Sequence, residues 1–505
     1  MQARPHQQTV TWLPVIAGLA ATCLILAFGP RYGIFRDELY YWACARRLAW
    51  GYVDHPPFSI AVMRLMGDSL FMMKVPAAVA FGLSVFLTAR TAGALGARRW
   101  GTMLVAVATG LCPLLAAIAG LFSMNVLEIV FWAVAAMVTA RLLVEPSPAL
   151  WVALGVVVGL GLLNKYSMFM FAAGLGVGLL LTPARRQLLA PWPWVAGFMA
   201  ALLLSPHLLW EIRHGSPSLE FMRNATNFKM AAVAPLDFIK QQILVTNPVI
   251  AFFWLTGLLG SLFSARLAPW RAHGIAFLVS AAILIASGKS RAGYLAPSYM
   301  LVLPAGGVMF EHLVPEHLAW LRRAILILMT AAGLAMLPLA LPILPVDDLI
   351  EYEHALGFAP RAEERTRLGP LPQFMADRFG WREMAGAVER AYLALPAEER
   401  ARTWVFTRNY GEAAAIEYFS PLLRDRVLSG HNNYYIWFPQ GWDGSEILVI
   451  GDSEEDVRKA FADVREVGTT DHPLAMPYER NLTIYLGRSP IQSLEEIRRA
   501  IKHYD

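Results

Sequence analysis

Long runs without a charge fill the first two-thirds of this 505-residue chain and leave few folds open to it. Segments 12–29, 76–89, 101–127, 129–140, 146–164, 166–184, 187–210, 241–265, 274–288, 292–310 and 324–346 contain no Asp, Glu, Lys or Arg. A helix crosses a bilayer with about 20 apolar residues, roughly 17–25 being tolerated. With the shorter runs extended through their flanks, the pattern predicts about eleven membrane spans. The carboxylates are distributed to match: 11 of the 38 Asp and Glu precede residue 347, and the remainder crowd into 347–505. That last third has the charge balance of a globular domain. Hydrophobic residues at 56%, charged residues at 16% and a mean hydropathy of +0.45 exclude a single soluble fold and a disordered chain. The pI of about 9.1 requires no polyanion, because membrane proteins retain basic residues in cytoplasmic loops, and nucleic acid is not an expected partner.

The fold expected is a polytopic α-helical membrane protein, with a transmembrane domain over 1–346 and an α/β domain over 347–505. Two longer loops, 30–75 and 211–240, interrupt the first domain, the former carrying amphipathic helices. With the N-terminus cytoplasmic, the short inner loops collect Arg4, Arg90, Arg98, Arg99, Arg141, Arg185, Arg186, Arg266, Arg271, Arg322 and Arg323. An odd number of spans then puts 347–505 outside. The first run, 12–29, ends in Gly-Pro-Arg without a small-residue cleavage site and is expected to be a retained anchor. Cys23 and Cys112 lie in apolar runs and Cys44 in a loop, which offers no disulfide framework or cysteine metal site. In the tail, 403–407, 446–450 and 481–486 read as strands, and 411–419, 454–464 and 494–501 as helices.

Chemistry-bearing residues cluster after the first span. Arg36-Asp37-Glu38-Leu39-Tyr40-Tyr41 puts two adjacent carboxylates at the membrane–water boundary, to reach a substrate or to cap a loop helix. Gly51-Tyr52-Val53-Asp54-His55-Pro56-Pro57 follows, where the double proline fixes the backbone around an acid and an imidazole. Metal binding, phosphate contact, a sugar hydrogen bond and a plain tight turn are all open to that pair. Lys165 stands between two apolar runs, where an ammonium is expensive and usually functional. Lys289 and Arg291, beside Tyr294, either hold an anion or snorkel to the interface. Glu128 opens an apolar run behind Ser123-Met124-Asn125. His207, Trp210 and Glu211 suit interfacial anchoring. Gly430-His431-Asn432-Asn433-Tyr434-Tyr435-Ile436-Trp437 suits sugar binding or a strand edge equally.

In combination, Asp-Glu-x-x-Tyr, the acid-x-Pro-Pro turn, many spans and an outside tail resemble the C-type glycosyltransferase superfamily. The likeness is to bacterial relatives of the protein O-mannosyltransferases and of the aminoarabinose (lipid A) transferases. It continues at Leu162-Leu163-Asn164-Lys165-Tyr166-Ser167, at Gly288-Lys289-Ser290-Arg291-Ala292-Gly293-Tyr294 and at Asn409-Tyr410-Gly411-Glu412-Ala413. The resemblance implies an inverting transfer of a sugar from a polyprenyl-phosphate donor to a glycan, lipid or protein acceptor, on the periplasmic side of the bacterial inner membrane. It implies Asp37 as the catalytic base or acceptor-orienting acid, with Glu38 supporting it. Lys165, Lys289, Arg291, His55 and Tyr294 are expected at the donor phosphate; the eleven-span pattern puts Lys165, Lys289 and Arg291 on the outer side, where they are expected to converge opposite Asp37. Asp54, Glu128 and Tyr40 are expected near the sugar or acceptor. Two departures stand out. His55 replaces the lysine of the aminoarabinose transferases, and Glu128 stands where an aspartate would be shorter. The resemblance implies no obligatory cofactor and leaves room for a divalent metal. The competing classes are a transporter or flippase of a lipid-linked sugar, which would carry inverted repeats that this chain lacks, and a non-catalytic glycan-binding scaffold.

Overall fold

The computed structural model describes residues 12–360, 362–439 and 441–505, so Arg4 lies outside the described residues. The chain divides into two compact units. One comprises Met1–Gly29, Lys74–Pro206 and Ala232–Leu344; the other comprises Pro30–Met73, His207–Ala231 and Pro345–Asp505. The second unit therefore gathers both long loops of the sequence, in large part, with the tail.

Apolar helices build the first unit. Among the described residues, six helical stretches are long and apolar enough to cross a membrane, or up to nine if each of three bent pairs forms one span. Two shorter apolar helices, Leu13–Phe28 and Pro148–Asn164, accompany them. The chain is a multi-pass membrane protein. Prolines decide where helices begin: Pro113, Pro148 and Pro248 each stand in the first turn, where a missing N–H costs nothing. At Thr246-Asn247-Pro248 the apolar run 241–265 breaks, and Pro235–Thr246 and Pro248–Phe263 meet at 113°. Asn247 makes the corner at φ 76° and caps the second helix by accepting from the Val249 N–H. The run 101–127 likewise breaks, at Leu111-Cys112, while Met124–Leu142 is continuous through Glu128. Helices pack through small residues. A Cβ on Gly174 or Gly178 would stand within 2.9 Å of Ala276 or Ala272 backbone, so Met168–Leu180 and Arg271–Ser287 approach closely because these positions carry no side chain. Large apolar side chains such as Phe198, Phe252 and Ile327 remain exposed, as a lipid-facing surface requires.

The second unit holds a five-stranded sheet: β1 (Trp404–Thr407), β2 (Val427–Ser429), β3 (Glu446–Ile450), β4 (Phe461–Thr470) and β5 (Leu482–Pro490). Its order is β2-β1-β3-β5-β4, with β1 parallel to β2 and β3, and β5 antiparallel to β3 and β4. Strands β1 and β3 are short and almost wholly buried, with β-branched Val405, Thr407, Ile447, Val449 and Ile450, as parallel strands covered on both faces are. Phe406, Leu428, Val449, Phe461 and Ile497 share one apolar core. Helix Glu454–Ala460 is shorter than the 454–464 expected from the sequence, because at Phe461 the backbone becomes extended and Phe461 and Val464 enter the core from a strand. Strand β2, only three residues long, has no counterpart among the expected elements. Cys44 is buried inside helix Arg36–Arg46 rather than in a loop.

Candidate active site

Helix Arg36–Arg46 positions the first carboxylate. Phe35 caps it in extended conformation, Glu38 Oε2 accepts from the Phe35 N–H at 2.9 Å, and the Arg36 N–H donates to Asp377 O at 3.0 Å. Glu38 is 0% exposed, and its Oε2 is held by the first of these bonds. The expected supporting catalytic carboxylate is therefore a helix cap. Asp37, in the same first turn, has a side chain 37% exposed. Its Oδ1 accepts from the Tyr410 hydroxyl at 2.9 Å and lies 3.6 Å from Arg36 Nε. No hydrogen bond recorded among the described residues uses its Oδ2.

A second carboxylate stands close by. Asp54 Oδ1 accepts from the Tyr40 hydroxyl at 3.1 Å, and the Tyr40 and Tyr410 rings pack at a tilt with centroids 4.5 Å apart, which links the two acids through two phenols. Burial raises the Asp54 pKa, His55 counteracts this, and the field of Asp37 adds to the rise. Burial also holds Tyr40 and Tyr410 far above the usual phenol range, so both remain donors. Asn433 fixes the turn from the tail: its Oδ1 accepts from the Val53 N–H at 2.7 Å, and its N–H donates to Tyr40 Oη at 3.3 Å.

His55 does not occupy the place expected for a phosphate ligand. It is 1% exposed, boxed by the rings of Tyr41 at 4.7 Å, Tyr52 at 5.0 Å and Tyr40 at 6.1 Å. Its Nε2 lies 3.7 Å from Asp54 Oδ1, so the acid is its nearest charged neighbour. His207 is equally closed to solvent and bonds Trp50 O at 2.9 Å, which places it behind this turn rather than at an interface. A Cβ on Gly51 would come within 2.3 Å of the Trp210 ring, so the turn needs glycine there.

Sequence reasoning missed the residues that brace Asp37. Arg36 donates to the Tyr478 hydroxyl at 2.7 Å and stands 3.6 Å from Asp377 Oδ2. Burial raises the Asp377 pKa, and Arg36 opposes the rise. Behind the helix, Arg47 forms a two-pronged pair with buried Glu417 at 2.7 and 3.0 Å and lies over the Trp437 ring at 4.7 Å. No local motif announces these partners, which lie some hundreds of residues from Arg36.

The cationic candidates belong to the other unit. Lys165 caps helix Pro148–Asn164 in extended conformation, with its Nζ 2.8 Å from both Glu128 Oε2 and Asn125 Oδ1 and 5.3 Å from the Tyr294 ring centroid. Ser167 Oγ also donates to Glu128. The structure thus brings Lys165, Glu128 and Tyr294 together, as an ion pair over a phenol rather than an isolated ammonium. Lys289 and Arg291 stand half-buried on the turn after Arg271–Ser287, where Gly288 adopts φ 64°.

Among the described residues, one group of three side chains has the spacing of a metal site: His431, His503 and Asp505, with ligating atoms within 4.8 Å of one another. Its chemistry fits a hydrogen-bonded cluster better. His431 Nε2 is 3.2 Å from Asp505 Oδ1, His503 Nδ1 is committed to Ile501 O at 2.8 Å, and buried His431 Nδ1 has no acceptor for the N–H that metal binding through Nε2 would require. Burial brings the His431 pKa down to about 4, so its imidazole is neutral.

The family model of the dolichyl-phosphate-mannose-protein mannosyltransferases matches residues 54–210. The lipid A galacturonosyltransferase RgtD of Rhizobium johnstonii is 25% identical over 233 residues, 44% of this chain and 48% of that protein. The chain thus matches about half the length of this curated relative. The crystal structure of ArnT from Cupriavidus metallidurans bound to undecaprenyl phosphate aligns with a TM-score of 0.61 at 14% identity, over 93% of this chain and 97% of that one. Its apo structure aligns at 0.60 with the same identity and coverage. The fold is that of the C-type glycosyltransferases, helical spans followed by a C-terminal domain with a small sheet. Sequence and fold together relate the chain to that superfamily.

Proposed function

We propose that this chain is an inverting glycosyltransferase that takes a sugar from a polyprenyl-phosphate carrier and passes it to a glycan, lipid or protein of the cell envelope. The observation that carries the reading is Asp37, a partly exposed carboxylate whose Oδ1 is held by the Tyr410 hydroxyl at 2.9 Å. In this reading the acceptor hydroxyl gives its proton to Asp37 while its oxygen attacks the anomeric carbon. The bond from that carbon to the phosphate oxygen breaks on the opposite face, and polyprenyl phosphate departs with the electron pair. Lys165, Lys289 and Arg291 neutralise the developing phosphate charge, and Tyr294 supports Lys165. Asp54 and Tyr40 bind sugar or acceptor hydroxyls beside Asp37. His55 acts through Asp54, and Glu128 orients Lys165.

The reaction is assigned to the periplasmic face of the inner membrane, with the N-terminus cytoplasmic and 347–505 periplasmic. The concentration of arginines in the short loops expected on the inner side supports that orientation. The test is to incubate purified protein with a panel of polyprenyl-phosphate sugars and follow release of polyprenyl phosphate. Release with at least one donor supports the reading, and inactivity with all of them refutes it.

A further inference from the structure

Two glutamates behind the candidate base are closed to solvent and flank Asn409. Glu412 is 0% exposed and Glu479 8%. Each uses one oxygen locally. Glu412 Oε2 accepts from the N–H groups of Arg408 at 2.9 Å and Asn409 at 3.4 Å, and Glu479 Oε1 accepts from Asn409 Nδ2 at 2.9 Å. The remaining oxygens, Glu412 Oε1 and Glu479 Oε2, are both buried without a hydrogen-bond donor among the described residues, and both side chains close on the same residue, Asn409. Two ionised carboxylates held this way would keep two charges out of water with no donor for either outer oxygen. A single proton between them resolves the conflict.

Compensating charge is scarce. Arg408, with a side chain 40% exposed, reaches Glu412 Oε1 only at 3.9 Å, and buried Asp377 adds negative potential at Glu479. Gly451 forms the wall, and even a Cβ there would lie 2.6 Å from both Glu412 oxygens. Asp452, next in the chain, faces Arg408 and draws on the same cation. Burial raises both glutamate pKa values, in keeping with a retained proton.

The pair sits at the start of helix Tyr410–Phe419. Asn409 caps this helix, its Oδ1 accepting from the N–H groups of Gly411 at 2.9 Å and Glu412 at 3.0 Å, while its amide N–H is held by Glu479. Tyr410, the next residue, donates to Asp37. We propose that Glu412 and Glu479 share one proton and act as a positioning pair, fixing Asn409 and through it the Tyr410 hydroxyl on Asp37. The catalytic consequence rests on the role proposed for Asp37, whereas the shared proton does not.

Glutamine substitutions separate a shared proton from simple packing. In Glu479→Gln the amide oxygen can still accept from Asn409, and its N–H₂ donates to an ionised Glu412. Glu412→Gln works in the mirror sense. The double variant sets two N–H₂ groups against each other, because the oxygen of each amide is already committed as an acceptor, to the Arg408 and Asn409 N–H groups or to Asn409 Nδ2. Infrared spectra of purified protein at neutral pH are expected to show a buried carboxylic acid carbonyl band that each single variant loses. Melting temperatures should remain near wild type in each single variant and fall well below both in the double. The wild-type proton is retained above the ordinary glutamate value of 4.5, so stability declines as pH rises from there through the raised value, and Glu479→Gln flattens that decline. With an active donor, the alkaline limb of the transfer profile should also move to higher pH in Glu479→Gln. Absence of the acid band, or a double variant no less stable than the singles, overturns the shared proton. An unmoved alkaline limb beside the expected band and melting pattern overturns the positioning role. Inactivity of wild type with every donor refutes the reading of Asp37 instead, and the spectra and melting temperatures still decide the pair.

Discussion

Replacing Tyr410 by Phe removes one hydroxyl and little else, which makes it the sharpest perturbation of the candidate base. The ring should stay in place, since it packs at a tilt against Tyr40 at 4.5 Å and His431 at 4.6 Å, with Arg36 at 5.4 Å. What is lost is a 2.9 Å bond to Asp37 Oδ1. A hydrogen bond to a charged group contributes about 1.5–3 kcal/mol. Asp37 is about one-third exposed and keeps Arg36 at 3.6 Å, so water and the guanidinium recover part of this. A net loss of about 1–2 kcal/mol lowers the transfer rate roughly 5- to 30-fold. The assay is single-turnover release of polyprenyl phosphate from a saturating donor, with the melting temperature as control. A Tyr410→Phe/Asp37→Asn double variant should be no slower than Asp37→Asn alone, because the hydroxyl acts through the carboxylate. A wild-type rate in Tyr410→Phe at saturating acceptor, or additive losses in the double variant, would refute the reasoning.

Other expectations follow from the same contacts. Lys165→Ala should slow transfer by roughly one to two decades if its phosphate contact forms fully in the transition state, and Glu128→Gln should slow it less; single-turnover rates rank them. Arg47→Ala strands the buried Glu417 carboxylate and should cost about 3 kcal/mol of stability, read as a lowered melting temperature. His431, neutral in the fold with its pKa brought down to about 4, makes the wild type lose stability as pH falls from 6.5 towards 4, and melting curves of His431→Gln should show a shallower loss.

Much of this architecture could be read from the sequence because hydropathy and charge act over whole segments. Apolar runs marked the helical spans, and the return of carboxylates after residue 346 marked the α/β tail. What hydropathy could not register was direction: the run 241–265 conceals a 113° corner, although Asn247-Pro248 carried the signal. The dipeptide Asp37-Glu38 pointed to the first turn of a helix, but not to which acid faces outward. Consecutive residues lie about 100° apart around a helix, so one is presented and the other buried, and only packing decides which. Adjacency alone left metal, phosphate, sugar and turn roles open to Asp54 and His55; in the fold the tyrosines at 40, 41 and 52 enclose the imidazole and leave the acid partly open. Lys165 stood out as an intramembrane cation, while Glu128, 37 residues earlier, gave no sign of being its counter-ion. Tyr410, 373 residues from Asp37, entered only as part of a motif without a role.

The central claim is that Asp37 performs the proton transfer that lets an acceptor attack a lipid-linked sugar. Its most direct test is a paired measurement on purified wild type and Asp37→Asn: sugar transfer from an active polyprenyl-phosphate donor, and binding of polyprenyl phosphate itself. The expected result is loss of transfer in Asp37→Asn with carrier binding largely retained. Transfer by Asp37→Asn at a rate near wild type would contradict the account.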